Sequence, residues 1–541
     1  MPTAIMIRDW VRQRLDRVRS LVPAGFQAGF PPPTSPIRDH AVVLGWSERL
    51  LSIMPVLVGG DPTRAPSRVA VLANQDRAAM AARLRPAAGL PRDTRVVCHR
   101  GDPGDPEALA RVSPRTARSV VVLSADGSPT DRDAQLVRTL LALEDRRAGR
   151  PETGQVLACL SDPANLPAVR LAGAAGTRIV DVTDLAARLL VQTCLQPGLA
   201  AVYTNLLGMG GAKLHVQPEP ALAGHTYGQA MHAYRTASVI GLRAGDGPVA
   251  LNPHGQTPVR PGDRVIALAG DGGSVELHPE PPQPVGQPSI TGYSDPTPGR
   301  SRVLVLGWNQ RAGAVLFQLD QQLPPGSEVS VVTRHPAAAT VLSQLAGHLD
   351  NLVLTFKDDD GAGRVVLDSL GIEVYDRVLV LCEDDAADPR TLLTLLHLRS
   401  LRDRLPADAG WPSVVAELAD PSNRPLARAT RADDVVVTEL LVGLLVARIA
   451  GDPTGGPVYA SLLDPHGARI CLIPAERYVR LGEPVTFQAV VEAARWRWET
   501  AVGYRVAGSG PPGRAGVVLP PDKAAPLVLH PGDQVIVLAG A

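Results

Sequence analysis

The chain repeats itself, and the repeat constrains every later reading. Val43-Leu44-Gly45-Trp46 returns 262 residues on as Val305-Leu306-Gly307-Trp308, and Pro261-Gly262-Asp263-Arg264-Val265-Ile266 returns 270 residues on as Pro531-Gly532-Asp533-Gln534-Val535-Ile536. Between these anchors Asp162-Pro163-Ala164-Asn165 pairs with Asp420-Pro421-Ser422-Asn423, Val182-Thr183-Asp184-Leu185 with Val437-Thr438-Glu439-Leu440, and Val239-Ile240-Gly241-Leu242-Arg243 with Ala501-Val502-Gly503-Tyr504-Arg505. Collinear matches at similar offsets mean tandem duplication, so the 541 residues hold two copies of one unit. The join is the run from Pro279 to Pro298, whose prolines suit a semi-rigid linker.

Within each copy, short apolar strands alternate with longer helical patterns, as βαβ units of a parallel sheet require. Copy one offers strands at His40–Leu44, Arg68–Leu72, Arg95–Cys98, Ser119–Leu123 and Gln155–Ala158; copy two offers Arg302–Leu306, Glu328–Val332, Leu352–Thr355, Arg377–Leu381 and Ser413–Ala416. Beyond the last helix, 214–269 and 470–538 read as short strands split by Gly-Asp and Pro-Gly turns, with one helix each. The expected class is α/β: two tandem Rossmann-like, doubly wound parallel-sheet lobes, each followed by a small α+β lobe. The boundaries fall at 1–38 for an N-terminal helix and linker, 39–210 and 211–275 for the first pair of lobes, 276–300 for the linker, and 301–455 and 456–541 for the second pair.

Lys+Arg and Asp+Glu cancel at 54 each, so no global field draws the chain to nucleic acid or anionic lipid. The five cysteines show no Cys-x-x-Cys spacing and read as reduced packing residues. No stretch reaches about 18 uninterrupted apolar residues, and the most apolar one, Val435 to Ala450, is broken by Glu439 and Arg448 and reads as a buried helix. Near the N-terminus Ile7, Trp10, Val11, Leu15, Val18 and Val22 share a helical stripe flanked by Arg8, Arg12, Arg14, Arg17 and Arg19. Such a helix suits docking on a membrane surface or on a partner, and equally packing on its own domain or on a sister subunit.

The first strand of each copy runs into a turn, Gly45-Trp46-Ser47 and Gly307-Trp308-Asn309, where a Rossmann lobe places phosphate against backbone amides and a helix N-terminus. Copy one has Leu50 at the third glycine position, where copy two has Ala312 in the run Arg311-Ala312-Gly313, so copy two is the better candidate for a nucleotide: NAD(P)(H), ATP or ADP. The second strands end in Ala73-Asn74-Gln75 and Thr333-Arg334-His335, without the acid that holds a ribose, which disfavours hydride transfer from NAD(H) and leaves Arg311 or Arg334 to meet a phosphate. After the fourth strand of copy two, Glu383-Asp384-Asp385 with Asp388, and their counterparts Asp126, Asp131 and Asp133, suit either helix capping or a hard cation such as Ca²⁺. His225 and His232 stand seven apart on an expected helix but lack a third metal ligand. No catalytic constellation emerges, and neither a Walker nor a nucleophile-elbow pattern occurs.

The series His40-Ala-Val-Val-Leu-Gly-Trp46, the helix from Asp133 ending Leu140-Leu-Ala-Leu143, Gly224-His-Thr-Tyr-Gly228, Val239-Ile-Gly-Leu-Arg243, Leu251-Asn-Pro253 and Pro261-Gly-Asp-Arg-Val-Ile266 resembles the cytosolic region of the CASTOR/POLLUX ion-channel family over about residues 39–541. The resemblance implies two RCK-like domains with TrkA-type nucleotide-binding lobes, a small-molecule ligand, and self-assembly as a tetramer or as a dimer of tandem units. Those channels place transmembrane helices before the first domain, whereas 38 residues precede Asp39 here. The expectation is therefore a cytoplasmic regulator of monovalent-cation transport acting on a separate membrane pore protein, peripheral to the membrane through its N-terminal helix. The alternative is an enzyme or small-molecule-binding protein that has reused the scaffold.

Overall fold

The duplication appears as two six-stranded sheets of identical strand order. The computed structural model describes residues 38–541 except 48, 60–67, 85–93, 124–128, 148–153, 175, 246, 271–274, 279–298, 384–386, 407–408, 453, 465–466, 509–515 and 541. The expected N-terminal helix and the Pro-rich join lie outside the described residues. The chain divides into two compact units, 1–181 and 182–541, each taken by itself.

The first unit holds β1 (Ala41–Leu44), β2 (Arg68–Ala73), β3 (Arg95–Arg100), β4 (Ser119–Val122), β5 (Gln155–Leu160) and β6 (Arg178–Asp181). They form one parallel sheet in the order β3-β2-β1-β4-β5-β6. All four residues of β1 are buried, which is why the strand reads as an unbroken apolar run.

The second unit begins with the helices Val182–Leu195 and Leu199–Leu207, followed by a four-stranded antiparallel sheet of β7 (Lys213–Pro218), β8 (Ala237–Ala244), β9 (Val249–Leu251) and β10 (Asp263–Ala269) in the order β7-β10-β8-β9. Next comes the second parallel sheet: β11 (Arg302–Leu306), β12 (Ser327–Val332), β13 (Leu352–Lys357), β14 (Arg377–Val380), β15 (Ser413–Leu418) and β16 (Asp434–Val437), in the order β13-β12-β11-β14-β15-β16. The final lobe contains β17 (Arg469–Pro474), β18 (Pro484–Thr486), the helix Phe487–Arg495, β19 (Thr500–Arg505), β20 (Val517–Val518), β21 (Pro526–Val528) and β22 (Gln534–Ala539). Its main sheet runs β17-β22-β19-β20, repeating the first small sheet, and β18 pairs with β21.

β6 and β16 were not expected. Each has four residues and runs into a helix with no glycine or proline between them. Val435 to Ala450 is thus not all helix: Val435-Val436-Val437 pairs with Ala416-Glu417-Leu418, as β-branched side chains favour, and the helix is Thr438–Gly451. That helix and Val182–Leu195 are buried on most sides because they pack on each other, and Val182–Leu195 also packs on the helix Ala312–Gln322, where Gln318 donates to Asp184 at 2.8 Å. Among the described residues no helix is long and apolar enough to cross a membrane.

The repeated Val/Ala-x-Gly of the small lobes has a steric cause. A Cβ on Gly241 would lie 2.4 Å from the carbonyl oxygen of Ala250, and one on Gly503 would lie 2.3 Å from that of Val518, so neighbouring strands close up only on glycine. The two small sheets bury their inner faces in one common core, in which Tyr227, Tyr234 and Val265 of the first meet Tyr478, Phe487 and Val535 of the second.

The repeated Asp-Pro-x-Asn is explained by two buried carboxylates. Asp133, in the helix Pro129–Arg147, accepts from the backbone N–H of Ser161 (2.9 Å) and Asp162 (2.8 Å) and from Nδ2 of Asn165 (3.0 Å). Asp388, in the helix Ala387–Arg402, accepts from Ala419 (2.7 Å), Asp420 (3.0 Å) and Asn423 Nδ2 (2.7 Å). Neither carboxylate serves chiefly as a cap of its own helix; each ties that helix to the turn after the fifth strand. Removing one leaves three partly buried donors without this acceptor. We expect Asp388→Ala to lower stability by about 2–4 kcal/mol in urea unfolding of the full chain, and Asp388→Asn by less.

Candidate functional site

The two glycine turns are built as the sequence reading requires. Gly45 has φ +94° and Gly307 φ +83°; a Cβ on Gly45 would stand 2.1 Å from the carbonyl oxygen of Leu123, and one on Gly307 2.7 Å from that of Leu381. What surrounds the second turn differs from a phosphate cradle. Trp308 is buried, with its ring 6.4 Å from His335, and Asn309 is turned inward. Asn309 Nδ2 donates to the carbonyl of Cys382 (2.8 Å) and to Oε2 of Glu417 (2.7 Å), while its Oδ1 accepts from the backbone N–H of Arg311 (3.0 Å).

Glu417 is the centre of this network. Its side chain is fully buried on β15, and it also accepts from Arg311 Nη2 (2.7 Å) and Nε (3.1 Å), Thr438 Oγ1 (2.7 Å) and the N–H of Cys382 (3.3 Å). Arg311 reaches Glu439 as well, at 3.2 Å. Its charge is therefore balanced inside the protein. In copy one the matching strand position is Cys159, also buried. Burial raises the Cys159 thiol to about 11 and Cys382 to about 12, the latter helped by Glu417, so both stay protonated.

The crevice beside Gly307 holds only about 10 Å³. Arg390 closes it, pairing with Glu383 (2.9 Å) and with Asp360. Burial raises the Glu383 carboxyl, and Arg390 opposes that shift. Arg334, exposed, pairs with Asp359 at 3.2 Å, and Gly313 lies on the following helix with room for a Cβ, the nearest atom being 3.4 Å away. In copy one Trp46 and Ser47 are buried and Arg83 lies over the Trp46 ring at 5.8 Å. Asp384 and Asp385 lie outside the described residues, and Asp388 directs its oxygens to the donors named above. The helix after His225 is only Tyr227–Ala230, so His225 and His232 do not share a helical face.

The roomy cavity lies elsewhere, between the two small lobes. It measures about 780 Å³ and is lined among others by Asn252, His254, Arg495, Arg497, Trp498 and Glu499. Two of its wall residues adopt left-handed backbone: Asn252 at φ +45° and Trp498 at φ +62°. Asparagine tolerates this; for tryptophan it costs on the order of 1 kcal/mol or more. The cause is the end of the helix Phe487–Arg495, where the N–H of Glu499 returns to Ala494 O (3.1 Å) and that of Trp498 to Arg495 O (3.2 Å). This is the Schellman pattern, with Trp498 in the place usually taken by glycine. Asn252 Nδ2 donates to the Trp498 carbonyl (2.9 Å), its Oδ1 accepts from Thr500 (2.6 Å), and Thr500 meets the Tyr227 hydroxyl (2.8 Å). The Trp498 and His254 rings stack at 4.1 Å.

Sequence reasoning missed this cleft, although two motifs of the resemblance supply its walls: Tyr227 comes from Gly224 to Gly228, and Asn252 from Leu251-Asn-Pro253. The signal that was present was a helix ending Arg495-Trp496-Arg497-Trp498 with no glycine.

Comparison with known proteins bears out the resemblance. Residues 183–284 match the family described as Castor and Pollux, part of voltage-gated ion channel. The probable ion channel POLLUX of Arabidopsis thaliana is 28% identical over 540 residues, covering 93% of this chain and 65% of that protein. The ion channel DMI1 of Medicago truncatula is 27% identical over 541 residues, covering 93% of this chain and 60% of that protein. The chain thus spans somewhat less than two thirds of these relatives' length. The human SLO3 gating ring superposes with a TM-score of 0.60 at 12% identity, covering 92% of this chain and 98% of that one, which shows a shared fold.

A buried lysine beside the cleft gives a pH test of the lobe pairing. Lys523, on the second small lobe, is 1% exposed and donates from Nζ to the carbonyl of Met231 on the first (2.6 Å). Its backbone N–H donates to Arg235 O, Arg235 pairs with Asp522, and nearby His232, held by Glu492 at 3.0 Å, is lowered to about 4 by burial and by Lys523. Burial pulls Lys523 down to about 7, against about 10.4 in an unfolded chain. Between these values only the unfolded state binds the proton, so the penalty shrinks as pH rises from about 7 to 10. Over that range the stability of wild type relative to Lys523→Met should rise in thermal unfolding. A difference independent of pH would show that the ammonium is not desolvated.

Proposed function

We propose, on the premise that the chain is a tandem RCK-like relative of the CASTOR/POLLUX ion-channel proteins, that it is a cytoplasmic, ligand-sensing regulator of monovalent-cation conduction through a membrane pore. The observation that carries this reading is the near whole-length likeness to ion-channel proteins of a chain whose two small lobes share one core around an open cavity. A ligand entering there touches both small lobes at once. It can shift their pairing by as much as its affinity differs between two arrangements. The cavity suits this role better than the glycine turn, where Arg390, Glu383 and Asp360 fill the crevice and Arg311 is held by Glu417.

The reading also takes the protein to assemble with itself, as a tetramer or as a dimer of tandem units, and to act on a pore. Light scattering should give a mass at least twice 57.0 kDa at micromolar concentration. Disrupting the gene in its own host should change rubidium uptake measurably, and the intact gene should restore it. Unchanged uptake together with a strictly monomeric protein would sink the proposal.

A further inference from the structure

We propose that the cleft between the small lobes is a nucleotide site, in which the base stacks on Trp498 and the phosphate meets Arg495 and Arg497. The inference deepens the ligand-sensing reading and rests on it for its consequence, but the binding itself requires no pore.

Three observations carry it. The first is Trp498 itself. The Schellman turn that ends the helix Phe487–Arg495 favours glycine at this position, yet the chain puts an indole there at φ +62°, and the indole is still 62% exposed after stacking on His254. A strained residue that presents a large aromatic face to an open cavity gains little for the fold. It supplies the flat surface that a nucleobase stacks on.

The second observation is how firmly this face is held. Asn252 grips the Trp498 carbonyl and Thr500 at once, and Thr500 is fixed by Tyr227. The platform is preorganised by groups from both lobes, so stacking there requires little further ordering. The third is the charge on the walls. Arg495, ion-paired with Glu492, and Arg497, lying over the Tyr478 ring at 5.9 Å, bring two guanidinium groups, while Glu499, which accepts from the Tyr478 hydroxyl, and Asp464 bring two carboxylates. A purely anionic or purely cationic ligand would meet like charge on part of this lining. A nucleotide matches both signs, with phosphate for the arginines and with ribose hydroxyls and an exocyclic amine for the carboxylates. At about 780 Å³ the space lies within the range of small-molecule sites.

The test is isothermal titration of the full chain with AMP, adenosine and inorganic phosphate. AMP should bind, with adenosine and phosphate each weaker by about tenfold or more. Trp498→Gly should weaken AMP by about tenfold or more while leaving the melting temperature of the unliganded protein unchanged or higher, because glycine relieves the left-handed strain. Arg334→Ala, after β12 and outside the lining of the cleft, should leave AMP affinity unchanged. No AMP binding at millimolar concentration, or wild-type affinity in Trp498→Gly, overturns the proposal. Should Trp498→Gly also lower the melting temperature, Arg497→Gln decides: AMP must weaken while adenosine does not, and an equal response of both overturns the phosphate assignment. AMP binding without any effect on rubidium uptake would break the regulatory reading alone, and an uptake effect without AMP binding would break this one alone.

Discussion

The inner faces of the two small sheets are apolar and the short helix of each lobe covers its own sheet only in part, and most of what distinguishes the second unit follows from that. A four-stranded sheet with one short helix cannot bury a face by itself, and here each supplies the cover of the other. The polar contacts across the joint are arranged around this core: Tyr227 with Thr500, Asn252 with the Trp498 carbonyl, Arg235 with Asp522, and Lys523 with the Met231 carbonyl. They fix the register of two surfaces that burial alone would hold without direction.

The second parallel sheet shows the opposite use of buried polarity. At its switch point, where related folds receive ligands, Glu417 gathers Asn309, Arg311, Thr438 and the Cys382 amide around one carboxylate. A buried charge is tolerable only when its lone pairs are occupied, and here the protein's own groups occupy them. The turn keeps its glycine for steric reasons, independent of any phosphate. In the first copy a cysteine replaces the acid, so the duplicated lobes share a backbone and differ in what lies beneath the turn.

Much of the architecture was legible because it is written locally. Apolar runs such as Ala41–Leu44, helices with Leu at regular spacing, and glycines at strand ends each report on a few neighbouring residues. The repeat then fixed which of them correspond. What escaped reading depends on distance or on brevity. Strands β6 and β16 are four residues long and lack punctuation before the next helix. Glu417 lies 108 residues from Asn309, so nothing near the turn announces that an acid will sit below it. Trp498 was visible as a residue and invisible as a site, since its meaning comes from a left-handed helix end and from a partner, Asn252, 246 positions away. Local pattern specifies elements, while the chemistry of a site depends on which elements meet.

The common core also has a consequence for synthesis on the ribosome. The first small lobe is complete once Ala269 has emerged, but the faces that cover it belong to residues as late as Val537, close to 270 positions downstream. At about 5–20 residues per second its apolar face waits roughly 13–54 s before its cover exists. During that interval the nascent chain carries an exposed sheet, which a chaperone, or the small lobe of another nascent copy, is free to occupy.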